Sequence, residues 1–189
     1  MNYIDKTAII GPNVKLGDNN YIGPYCIIGY PAEHKDFFPE RCGCYQSGLD
    51  ERNFGNVIIG DNNVFTGACT VDAGTEKDTI IGNDCFIMKR AHIGHDAHLH
   101  DKVTVSPNCI IGGHVIVMEG ANLGQSVCTH QFVIIGAYSM LGMGSVVPKG
   151  KKVEPGQIYA GNPVRWLSEN KRNIHLVNLK HAEQYNSLL

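Results

Sequence analysis

The chain has 189 residues and a formal net charge of −2, so one domain accounts for its length and no basic face marks a general nucleic-acid binder. A composition 43% hydrophobic and 18% charged belongs to a folded globular chain and excludes a disordered one. No apolar run reaches the ~18 residues of a membrane span, and the opening MNYIDKTAII lacks the basic start and apolar core of a secretory signal; a cytoplasmic protein is expected.

Taken in chain order, aliphatic residues recur every six positions from the start: Ile4, Ile10, Leu16, Ile22 and Ile28. Residues 30–56, rich in prolines, aromatics and mixed charge, break the period and predict a long loop thrown out of the repeat. Such loops are often functional. The period resumes at Ile59, Phe65 and Val71, and DAGTEKDT at 72–79 then inserts four residues before Ile81. From Ile81 it runs through Ile93, Leu99, Ile111, Thr129 and Leu141 to Val147. Two positions earlier in each unit stands a small or β-branched residue, as at Thr79, Cys85, Ala91, Ala97 and Cys109. Both positions point to the same side of a short strand, and Gly, Asn or Asp supplies the following corner. Each hexapeptide is thus one strand and one turn, and stacking them winds a parallel β-helix around an aliphatic core. The repeat is expected to stop after Val147, giving a β-helix over 1–150 and a short extended and helical tail over 151–189.

Seven cysteines cannot all pair within one chain. Cys42 and Cys44 form a C-x-C without the second pair of a zinc site. Cys26, Cys69, Cys85 and Cys109 fall on the small inward position, which predicts structural thiols.

Periodicity does not give handedness, and parallel crossovers are generally right-handed. The I-G-x-x-x-x pattern resembles the exception, the left-handed β-helix acyltransferases. That resemblance implies a left-handed helix with three hexapeptides in each 18-residue coil. The expected fold class is therefore an all-β solenoid, a left-handed parallel β-helix with a protruding loop and a short C-terminal extended/helical tail.

AHIGHDAHLHD, residues 91–101, holds His92, His95, His98 and His100. With 18 residues per coil, Asp96 lies under His114 and His114 under Phe132, while His95 lies under Gly113 and then Gln131. His95, His114 and His130 share one corner. His98 and His100 lie under Ile116 and Met118, around the corner, and are expected to be solvated turn residues. The corner suits acyl transfer. His95 is a candidate general base, since imidazole titrates near neutrality. Asp96 is a candidate to fix its tautomer. Gly113 is a candidate backbone N–H donor to the oxyanion of a thioester under attack. No Ser or Cys is obviously poised as a nucleophile, so direct attack by the acceptor is expected.

KRAHIGHDAHLHDKVTV, NCIIGGHVIV and CTHQFVIIGAYSMLG resemble the centre of the bacterial UDP-N-acetylglucosamine O-acyltransferases (LpxA-like) in both motif and spacing. The resemblance implies catalytic His95, Asp96 and Gly113, and a substrate cleft lined by His92, His114, His130 and Gln131. It implies a homotrimer with sites between subunits. It also implies a nucleotide-sugar acceptor in lipopolysaccharide or surface-glycan synthesis, and a thioester donor carried by acyl carrier protein or coenzyme A. No bound cofactor and no metal are expected. IGYPAEHKDF resembles the family's acceptor-binding loop loosely, which makes His34 and Asp36 acceptor candidates. The chain departs from the family in three places. TVDAGT stands for its T-I-H-R-G-T, the repeat is shorter, and its large C-terminal helical domain is missing.

Three alternatives stand beside this reading. YAGNPVRWL resembles the tail of smaller acetyl-CoA-dependent transferases, which suggests a nucleotide amino-sugar N-acetyltransferase. IGHDAHLH resembles the γ-type carbonic anhydrases, with His95 and His100 as zinc ligands, but the third histidine expected upstream is lacking. A non-catalytic scaffold would explain the repeat and leave the histidine corner unexplained.

Overall fold

The computed structural model describes residues 1–32 and 55–189. The expected loop, with His34, Asp36, Cys42 and Cys44, lies largely within 33–54 and so outside the described residues.

The chain is a left-handed parallel β-helix of about eight turns. Its rungs form three parallel faces, with sheet orders in which every third strand is adjacent. Most rungs are only two residues long, as at His92–Ile93 and Ile110–Ile111. The 18-residue register is regular: His92 pairs with Ile110 and Ile110 with Cys128, while His98 pairs with Ile116. The inserted residues raise one step to 22, so that Val57 pairs with Thr79 and Ile58 with Ile80.

Both predicted inward positions are buried. Ile81, Ile87, Ile93, Leu99 and Ile111 are at most 1% exposed, as are Thr79, Cys85, Ala91 and Ala97 two residues before the first four. Thr129, the polar member of the aliphatic series, is also buried. Its hydroxyl accepts the Gly112 N–H at 3.2 Å, which offsets the cost of burying it. The corners demand left-handed backbone, and Asp96, His114 and Phe132 adopt φ of 58°, 58° and 60°. Stacking fixes a conformation that non-glycine residues otherwise avoid.

The repeat does not stop at Val147. Two further parallel rungs follow, Lys152–Val153 and Gln157–Ala160, with Val153 and Tyr159 buried at the next six-residue positions. An antiparallel strand, Arg165–Glu169, then closes the first face. The chain next folds back along the third face and ends in helix α1, Leu179–Ser187. Tyr185 of α1 packs with Met118, Ile134 and Ala137.

Candidate active site

Asp96 organises the corner. Its side chain is fully buried. The inserted turn curls over it, so that the backbone N–H groups of Thr75, Glu76 and Lys77 donate to Oδ1 at 3.0, 2.9 and 2.6 Å. Its own N–H donates to the Thr79 hydroxyl at 2.9 Å. On the other oxygen, the Thr75 hydroxyl donates to Oδ2 at 2.5 Å and His95 Nδ1 lies 2.6 Å away. Burial opposes ionisation, but the bonds from Thr75, His95, Lys77 and Glu76 together outweigh it and hold the carboxyl well below its usual range.

Asp96 is therefore a carboxylate, and His95 Nδ1 must carry the proton that joins them. The Nε2 lone pair is left free. It points over Gly113, where a Cβ would lie 2.6 Å from Nε2. Only glycine leaves room for the ring there. The Gly113 N–H has no backbone hydrogen-bond partner among the described residues. His95 and Gly113 face a groove of about 800 Å3. His92, His130 and Gln131 line its polar middle and upper end, and Ile9, Ile27 and Tyr30 its apolar lower end.

The remaining candidates take distinct places. His92 Nδ1 is 2.8 Å from the Thr70 hydroxyl, and its Nε2 is 3.7 Å from Asp72. His130 accepts the Gln131 N–H at 2.7 Å through Nδ1. His114 stands behind the groove rather than in its wall. Its ring meets His95 edge-on at 5.1 Å and stacks on Phe132 at 4.6 Å, with Nε2 3.7 Å from Asp96.

His98 and His100 differ from expectation. They stack at 4.1 Å on the third face, half-buried, with His100 Nε2 3.4 Å from the Gln184 amide of α1. They are half-buried rather than solvated, and the C-terminal helix returns beside His100. His100 lines a second groove together with Asp101, Glu119, Lys180 and His181. The pair His95 and His100 therefore opens onto two different grooves.

Among the described residues, His95, Asp96 and His114 present ligand-type atoms all within 4.8 Å of one another. The groups that surround Asp96 are N–H and O–H donors. That is the surrounding of an anion receiving protons, and both of its oxygens are already engaged.

Sequence reasoning missed Thr75. Its traces were the four-residue insertion, which marks a break in the repeat and does not say what the break encloses, and the final threonine that TVDAGT shares with T-I-H-R-G-T.

A family model described as bacterial transferase hexapeptide (six repeats) matches residues 78–113. An acyl-[acyl-carrier-protein]–UDP-N-acetylglucosamine O-acyltransferase of Saccharophagus degradans is 40% identical, across 92% of this chain and 77% of that protein. One of Stutzerimonas stutzeri is 33% identical, across 90% of this chain and 75% of that protein. The crystal structure of a UDP-N-acetylglucosamine acyltransferase from Bacteroides fragilis shares the fold, with a TM-score of 0.80 at 24% identity over 98% of this chain and 69% of that one.

Proposed function

Since the chain belongs to the acyl-[acyl-carrier-protein]–UDP-N-acetylglucosamine O-acyltransferase family and is an acyltransferase of the hexapeptide-repeat class, we propose that it moves an acyl group from an acyl carrier protein thioester to a hydroxyl of a UDP-N-acetylglucosamine-type acceptor, with His95 as general base. The observation that carries this reading is the short His95–Asp96 contact, with Nε2 turned over Gly113 into the groove.

The acceptor hydroxyl attacks the thioester carbon while its proton passes to His95 Nε2. Asp96 stabilises the resulting imidazolium through Nδ1–H. The carbonyl oxygen takes the negative charge and accepts the Gly113 N–H. Collapse breaks the carbon–sulfur bond, and the leaving thiolate recovers the proton from Nε2. No covalent enzyme intermediate is needed. His92, His130 and Gln131 supply polar contacts to the substrates along the groove, with His114 acting from behind on the His95 ring. His34 and Asp36 remain acceptor-loop candidates by resemblance.

The reading includes a homotrimer in which a neighbouring subunit completes the groove. Tyr3, Ile9, Tyr21 and Ile110, exposed apolar residues on two faces of the helix, support such contacts. Coenzyme A as donor and an amine as acceptor are the second reading. A solved N-acyltransferase of Bacillus cereus, in complex with dTDP and coenzyme A, shares the fold (TM-score 0.54 at 19% identity, over 97% of this chain and 87% of that one).

The test is product mass. Purified protein is incubated with hydroxyacyl-acyl carrier protein or acetyl-CoA against a panel of nucleotide sugars, with His95→Ala in parallel. An ester of UDP-N-acetylglucosamine formed from the carrier-protein donor by wild type alone is expected. An amide formed from acetyl-CoA would move the assignment to the second reading.

A further inference from the structure

The four residues inserted between Val71 and Ile81 interrupt an otherwise regular coil, and the acyl-transfer scheme gives them no task. Their geometry does. Gly74 permits the turn to close, since a Cβ there would collide with the Lys77 carbonyl. Closure aligns three successive N–H groups on one oxygen of Asp96 and brings the Thr75 hydroxyl between the other oxygen and His95. Thr75 Oγ1 lies 2.5 Å from Asp96 Oδ2 and 3.2 Å from His95 Nδ1.

A hydroxyl has one proton to give. Given to His95 Nδ1, it would require a protonated Asp96 to keep the 2.6 Å contact between Nδ1 and Oδ2. Three N–H donors on the same carboxyl oppose that protonation. Given to Asp96, it leaves Nδ1 as a donor and the free lone pair on Nε2. We propose that Thr75 is a positioning residue: by donating to Asp96 Oδ2 it fixes that oxygen against His95 Nδ1, and so secures the contact that keeps the His95 tautomer with its Nε2 lone pair facing Gly113 and the groove. The inserted turn is then part of the proton-transfer machinery, although no atom of it need touch the acyl group. This rests on His95 as the base.

The test reads the tautomer directly and so does not depend on knowing the substrates. Full-length protein with 15N-labelled histidine is followed by NMR across pH for wild type, Thr75→Val and Thr75→Ser. In wild type and Thr75→Ser, His95 is expected as a single Nδ1–H tautomer with a downfield-shifted Nδ1 proton. In Thr75→Val, which keeps shape and loses the donor, a mixture of tautomers is expected in a protein that still melts cooperatively. In the acyl-transfer assay kcat should fall about tenfold with KM unchanged, a fraction of the ~10²- to 10⁴-fold that a general base contributes. A folded Thr75→Val with the wild-type His95 spectrum and pH titration overturns the proposal. If Thr75→Val does not fold, Thr75→Ala removes the donor without bulk and decides by the same signal. Unfolding of both, with Thr75→Ser intact, also overturns it, because the hydroxyl would then be a folding determinant. A tautomer shift in a protein whose wild type acylates nothing leaves the positioning role standing and removes the acyl-transfer reading instead.

Discussion

Two histidine clusters arise from residues 92–100, and both include a carboxylate, yet they are built on opposite plans. In the first, the acid is held by the backbone. Three N–H groups and Thr75 satisfy Asp96, and His95 keeps one nitrogen unspent toward an open groove. In the second, the acid is held by side chains. Glu119 Oε1 accepts from Lys102 at 2.8 Å and from Tyr138 at 2.9 Å, and its Oε2 lies 3.2 Å from His181. His181 Nδ1 accepts the Asn178 N–H at the start of α1, so Nε2 carries the proton that reaches Glu119. His98 and His100 stack face to face beside this network. Residue type does not separate the two clusters. The first leaves a lone pair available to a substrate, while the second spends its valences fastening the C-terminal helix to the solenoid.

The contrast breaks most visibly under substitution of the imidazoles. His95→Ala should lower turnover by about 10²-fold or more, the scale of a lost general base, with the melting temperature unchanged. His100→Ala should leave turnover within about twofold, on the same scale. Equal losses in the two variants, measured in one assay, would show that the clusters are not functionally distinct. Gly113→Ala sharpens the geometry. Its Cβ would lie 2.6 Å from His95 Nε2, so the ring must move. A displacement near 1 Å costs about 10²-fold in rate, and an unchanged kcat would remove His95 Nε2 from its place over Gly113.

The same contrast explains what the sequence made legible. The core was readable because its period is local: Ile93, Ile111 and Thr129 are one register column, and 18-residue arithmetic placed Asp96, His114 and Phe132 in another. The corner followed from that arithmetic. The last two rungs were missed although Val153 and Tyr159 keep the spacing, because Lys151 and Gln157 stand where earlier units have a small or β-branched residue. Thr75 was hidden because its partner Asp96 is reached only through the shifted, 22-residue step. The setting of His100 was hidden because the helix beside it comes from residues 179–187 and no pattern in the sequence records that return.

The fastening role of the second cluster predicts a smaller effect. Glu119→Leu should free α1 at a cost of about 1 kcal/mol, the scale of a partly exposed ionic network. Amide hydrogen exchange across 179–187 should rise selectively, with acyl transfer unchanged. Protection of α1 that survives the substitution would assign the docking to Tyr185 and its apolar partners alone.

The smallest effect separates the histidine pair from the glutamate through pH. Burial, helped by the neighbouring His100, lowers the His98 pKa from 6.5 to about 4. Between those values the unfolded chain binds a proton that the folded chain does not, so stability falls as pH drops through that window and levels off below it. Glu119 is held at about 2, chiefly by its bond from Lys102. Its contribution is present above the unfolded value of 4.5 and is lost as pH falls from there toward 2. The two windows barely overlap, and Asp96, also held low, adds to the acid limb, so substitution of His98 reads the upper window by itself. In His98→Asn the decline of the urea midpoint between pH 6.5 and 4 should flatten, while the decline below 4 stays as in wild type. An upper limb identical in both proteins would mean that His98 is open to water and that this part of the second cluster is as accessible as the first.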